Sequence, residues 1–201
     1  MTWLIDLGLF PVIGTVDKYV GIGSPEIIGR NTPIPQSAAD ELAKGFKFHA
    51  RAEGLEHIIL DQSKYLILSA EALEALRPLQ SDGWQAIPVR AVGSDAKSKK
   101  AIAGNPYYLL DVYLQINAFD VAKGNVPPKT INKGSIVERI VYRLDDKHRS
   151  IAVRTDLVGG LAIWRGDIEA FVTTIFVSDE LKRRWCDLGV TEALFEPCID
   201  V

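Results

Sequence analysis

The chain has 201 residues, 47% hydrophobic and 24% charged, with a formal net charge of −3. That length suits one domain able to bury roughly 70% of its unfolded surface, so no disulfide or metal staple is needed and wholesale disorder is excluded. The mildly acidic balance argues against a general nucleic-acid binder, and the cysteines, Cys186 and Cys198, are too few for a disulfide framework.

The opening "MTWLIDLGLFPVIG" has no basic residue before its apolar part, and Asp6 and Pro11 interrupt it. It is a poor export signal and too short to span a bilayer, so the protein is expected to be cytoplasmic with no membrane contact. The segment reads as an edge strand or an early core element. "GIGSPEIIG" (21–29) has Glu26 where a GxGxxG phosphate loop requires glycine, and Pro25 removes an amide, so it reads as a turn. Two prolines make "RNTPIPQS" (30–37) extended or turning. Ser37, with Asp40 three residues on, can cap a short helix through Ala43, and "GFKFHA" (45–50) alternates like a strand.

A unit then occurs twice. "YLILSAEALEAL" (65–76) and "TIFVSDELKRRW" (174–185) each run from an apolar strand through a serine and acidic residues into helical spacing. Pro88 and Pro197 stand 19 positions after Ser69 and Ser178, each in a further apolar run. A serine before a helix can accept hydrogen bonds from the free amides of its first turn, and Glu71, Asp179 and Glu180 suit the positive end of the dipole. Leu73 and Leu76 form the inner face of the first helix, which Pro78 ends. Leu181, Trp185 and Leu188 form that of the second, which Gly189 closes, with Lys182, Arg183 and Arg184 outward. Pro88 cannot donate to a ladder, so its strand is expected at an edge or bulged.

Between the copies, "GSDAKSKKAIAGNP" (93–106) is read as a basic loop and 123–135 as another. "YYLLDVYLQINAF" (107–119) has unbroken apolar residues at even positions, which predicts a strand with one buried face. "IVERIVYRL" (136–144) and "IAVR" (151–154) flank "DDKHRS" as an antiparallel hairpin. "LAIW" (161–164) follows Gly159-Gly160 as another strand. The fold class is α+β, mainly antiparallel sheet with helices on one side and two strand–serine cap–helix–strand units, in a single domain over 1–201.

Chemistry is sparse. His49, His57 and His148 have no metal-ligand spacing. Ser69 and Ser178 lack the GxSxG elbow. Asp145-Asp146 and Asp179-Glu180 have structural explanations in a turn and a helix start. No catalytic group, cofactor or metal is expected. The thiols Cys186 and Cys198 read as reduced and partly buried, with a bridge between them left open. Charge is uneven: residues 155–201 hold nine acidic and four basic residues, a net −5, while 1–154 hold 17 acidic and 19 basic, a net +2. The acidic third could receive a basic partner, and Asp156, Asp167, Glu169, Asp187 and Glu192 are the candidate contacts. The alternative is a small-ligand protein or enzyme whose site gathers His49, Arg51, Glu53, His57 and Asp111 from afar.

Three motifs in order, "YLILSAEALEALRPL…GWQAIPV", "YYLLDVYLQINAFD" and "IFVSDELKRRWCDLGVTEALFEP", resemble an immunity-protein family of bacterial polymorphic toxin systems, the one usually numbered eleven. The likeness runs over residues 64–199 and leaves 1–60 as a variable part. Two positions depart from its pattern: Glu192-Ala193-Leu194 lacks the usual glycine, and Asp111 stands in place of an asparagine. The resemblance implies a non-enzymatic protein that binds and neutralises a cognate toxin domain, and it carries over no functional residues.

Overall fold

The computed structural model describes residues 1–5, 31–45, 47–50, 58–60, 66–93, 96–126, 128–131, 139–142, 150–166, 174–190 and 195–201. In chain order the elements begin β1 (Thr2–Ile5), α1 (Gln36–Gly45), β2 (Lys47–Ala50), β3 (Ile58–Leu60), β4 (Leu66–Ser69) and α2 (Ala70–Leu76). They continue β5 (Trp84–Gly93), α3 (Ala96–Ile102), β6 (Tyr107–Val112), β7 (Gln115–Ile116), β8 (Pro128–Ile131), β9 (Arg139–Tyr142) and β10 (Ala152–Val153). The last are α4 (Thr155–Val158), β11 (Ile163–Gly166), β12 (Ile175–Ser178), α5 (Asp179–Asp187), β13 (Phe195–Pro197) and β14 (Ile199–Asp200).

One sheet has the order β13-β1-β12-β11-β7 and another β2-β5-β6-β4-β3, with two-stranded pairs β8-β9 and β10-β14. Pairing is antiparallel except for β2 with β5, β7 with β11 and β10 with β14. The fold is α+β. The "GIGSPEIIG" turn lies outside the described residues.

The two copies of the repeated unit wrap around a central strand in the same way. β4 and β5 lie on either side of β6, both antiparallel to it. β12 and β13 lie on either side of β1, again both antiparallel. Leu68, just before the cap serine, and Pro88 both face Tyr108. Val177 and Pro197 both face Trp3. The 19 positions from each cap serine to its proline are thus the path from one flank of a central strand, through a helix, to its other flank.

The caps follow from the sequence. Ser69 Oγ accepts from Ala72 N and Ser178 Oγ from Leu181 N, each at 3.2 Å. Past α5, Gly189 has φ +98°, which an L side chain adopts at a cost. Val190 N donates to Trp185 O at 3.0 Å and Gly189 N to Cys186 O at 2.8 Å, the Schellman pairing that satisfies the last carbonyls.

The two helices meet. Trp185 is fully buried, and its indole N–H donates to Ala72 O at 2.9 Å, tying α5 to α2. Leu66, Leu68, Leu110, Ile163, Ile175, Val177, Leu181 and Trp185 belong to one apolar cluster drawn from both large sheets. Each large side chain sealed there contributes roughly 1.5–3 kcal/mol.

Several sequence expectations need correction. Helices line both faces of the second sheet. Leu66 and Leu68 pack with α2, while Ile67, between them, packs with Ala39 and Leu42 of α1. Successive strand residues point to opposite faces, so both faces are covered. For the same reason β6 does not alternate, and Leu109 and Leu110 are both fully buried.

β1 is interior, so of the two readings for the opening the core element holds. β5 is also interior, not an edge. Pro88 is nevertheless exposed, and the described pairing with β2 begins two residues later at Arg90. Ser37 sits inside the first turn of α1, where Ala39 N donates to Pro35 O at 3.0 Å.

The basic "loop" at 93–106 contains α3. Alanine and lysine are good helix formers, and Ile102 anchors the helix against the α1-side cluster. The segment 123–135, expected as a loop, supplies β8. Among the described residues the hairpin expected between 136–144 and 151–154 is not formed: β9 pairs back with β8, and β10 pairs with β14.

Candidate partner-binding surface

The exterior of α5 is a closed network of charges. Helical spacing places Glu180 within reach of Arg183 and Arg184, and Arg183 within reach of Asp187. Glu180 Oε1 accepts from Arg184 Nε and Arg183 Nη2, each at 2.8 Å, and Arg183 Nη1 lies 3.1 Å from Asp187 Oδ2. Hydrogen bonds from Arg184, then Arg183, hold the Glu180 carboxyl below its usual range, and Glu180 in turn raises Arg183. At the helix start Trp3 Nε1 donates to Asp179 Oδ1 at 2.8 Å, and Lys182 Nζ stands 3.5 Å from the centroid of the Trp3 ring. That ammonium-over-indole contact belongs to the strongest aromatic class for a cation.

Of the five acidic candidates, two are described. Asp187 is 65% exposed and shares Arg183, whereas Asp156, on α4 and 64% exposed, lies 3.0 Å from Arg154 Nη2. Both carboxylates thus reach solvent already answered by an arginine of their own element or its flank. Asp167, Glu169 and Glu192 lie outside the described residues.

The alternative set is not gathered by the described structure. His49 stands in β2 with its backbone opposite Val92 of β5. Arg51, Glu53, His57 and His148 lie outside the described residues. Asp111 is 6% exposed on β6, and its Oδ2 accepts the Ile34 amide at 3.3 Å. Burial pushes its carboxyl up, while the charge of Arg165 and the Ile34 hydrogen bond pull it down. Arg165, 5% exposed on β11, is the buried charge that the sequence reading passed over. Its signal was an arginine inside the apolar run "LAIWRG".

Elsewhere the described surface offers little chemistry. An apolar dent is lined by Phe119, Val121, Val126, Ile151 and Ala152. Asp120 at its rim accepts the amides of Ala122 and Lys123, each at 3.1 Å. Cys186 and Cys198 are not joined in a disulfide. Among the described residues no three His, Cys, Asp or Glu side chains are placed to hold a metal, and no helix is long and apolar enough to cross a membrane. What remains is a folded exterior rich in exchangeable ion pairs.

A family model described as "Immunity protein family (Imm11)" matches residues 18–200, taking in much of the first sixty residues that the motif likeness left aside. No curated protein matches the chain.

Proposed function

The chain belongs to the Imm11 immunity protein family, and on that premise we propose that it is the cytoplasmic antidote of a bacterial polymorphic toxin used in competition between cells. It acts as one folded domain without catalysis, covering its cognate toxin domain so that substrate cannot enter. The family match carries this reading.

The physical demands are those of a binder. Covering an active site takes complementarity over about 1,600 Å². Protection at low toxin concentration takes nanomolar affinity, about −12 kcal/mol. A few desolvated aromatic or charged anchors would carry most of it. Trp3, half-buried beside the start of α5, supports the reading, because tryptophan is enriched among such anchors.

Asp156, Asp167, Glu169, Asp187 and Glu192 are proposed as rim contacts. The two described ones already hold arginines. Exposed pairs of this kind are worth about 0–1 kcal/mol, so exchanging them for a partner's cations adds little affinity.

Co-expression tests the proposal. The toxin domain encoded beside this chain's gene should kill cells alone, spare them when this chain is present, and elute with it as one complex on gel filtration. Undiminished killing with no complex overturns the reading.

A further inference from the structure

Among the residues whose side chains are described, the cations with no internal partner fall in one part of the fold. Arg77 pairs with Glu74, Lys123 with Asp120, Arg154 with Asp156, and Arg183 and Arg184 with Glu180. Lys182 covers Trp3, and Arg165 is engaged. Lys44, Arg90, Lys97, Lys99 and Lys100 are exposed and make no ion pair.

All five stand on α1, β5 and α3. These elements are packed together, since both helices lie against β5 and Ala43 and Ile102 join one apolar cluster. The described acids of the module are Asp40, held by Gln36 Nε2 at 2.7 Å, and Glu41. Five cations against two carboxylates leave +3 on this module, in a chain whose net charge is −3.

Uncompensated like charge on a folded surface repels itself and attracts opposite charge over a Debye length, about 8 Å at physiological salt. The exterior of α5 has spent its charge internally, whereas the exterior of α3 has not. We propose that the α1–β5–α3 module is the principal docking surface, and that it receives an acidic face of the toxin polypeptide. This rests on the immunity reading above. The chain's overall negative charge favours a protein partner here over a nucleic acid, because a long polyanion would meet net repulsion once it extended beyond the module.

The test is the association rate of the toxin domain encoded beside this gene, measured against salt for the wild-type chain and for K97E/K99E/K100E. A K97Q/K99Q/K100Q variant serves should the reversed helix fail to fold. D156K/D187K is the control for the acidic rim, and a 20-base-pair duplex DNA is a second analyte. The expected result is a fall in association rate of about 10–100-fold at low salt for the reversal, intermediate for the glutamine variant. The difference should close at 1 M salt, where the Debye length is about 3 Å. The control should shift the rate less than the reversal does. A toxin complex indifferent to the lysine changes overturns this proposal alone. No complex with the wild-type chain removes it together with the immunity reading. Lysine-dependent binding of the duplex, with toxin binding unchanged, overturns it in favour of a nucleic acid.

Discussion

Asp111 stands on β6 between Leu110 and Val112, both almost sealed from water, and is itself 6% exposed. Burial raises its carboxyl above the usual range, and Arg165 and the Ile34 amide only partly oppose that. The folded chain therefore holds this proton more tightly than the unfolded chain, where an aspartate ionises near ~3.9. Stability linked to Asp111 is full below that value and is lost as pH rises through the folded value. Asp111→Asn keeps an oxygen for Ile34 and has nothing to titrate. The stability of wild type relative to this variant should accordingly decline from acid toward neutral pH in urea unfolding. A difference constant with pH would contradict the assignment. The alternation in "YYLLDVYLQINAF" places Asp111 on the polar face, where sequence alone expects solvent. What covers it is Ile34, 77 positions away, and no local pattern contains such a partner.

The repeated unit was legible because its signals are local: an apolar run, a cap serine, acids in the first turn and a glycine or proline stop. Its spacing also made sense once Leu68 and Pro88 were found opposite Tyr108, and Val177 and Pro197 opposite Trp3. If the serines serve as caps, Ser69→Ala and Ser178→Ala should each lower unfolding free energy by about 1 kcal/mol with an unchanged denaturant slope. Toxin binding by the folded Ser178→Ala protein should be unaffected, and loss of binding at unchanged stability would give Ser178 a contact beyond its helix. Partner choice between strands was less legible. The pattern of "IVERIVYRL" and "IAVR" announces strands, but β9 turns back to β8 and β10 to the chain's last strand. Likewise α3 was hidden because its lysines and bounding glycine read as a solvated loop, while Ile102 packs in a cluster assembled from α1, β4, β5 and β6.

Across the whole molecule the sequence divides charge into an acidic final third and a mildly basic remainder, and that division was plain from counting. Which charges are available to a partner was not, because availability depends on neighbours. Asp187 and Glu180 are matched by arginines one turn away on α5, whereas among the described residues Lys97, Lys99 and Lys100 meet no carboxylate. Counting singles out the acidic candidates, and the two described ones, Asp156 and Asp187, are both already paired with arginines. On the proposed reading, protection needs no turnover and consumes one antidote per toxin.

The most direct measurement is a titration of the purified toxin domain's activity with this chain, at toxin concentrations far above the dissociation constant. Occlusion by a bound partner predicts a straight fall in activity that reaches its floor at one chain per toxin and returns when the complex is dissociated by denaturation and the toxin refolded. Complete inactivation by a small fraction of an equivalent, growing with time and surviving removal of this chain, would mean that it acts on the toxin chemically rather than by covering it.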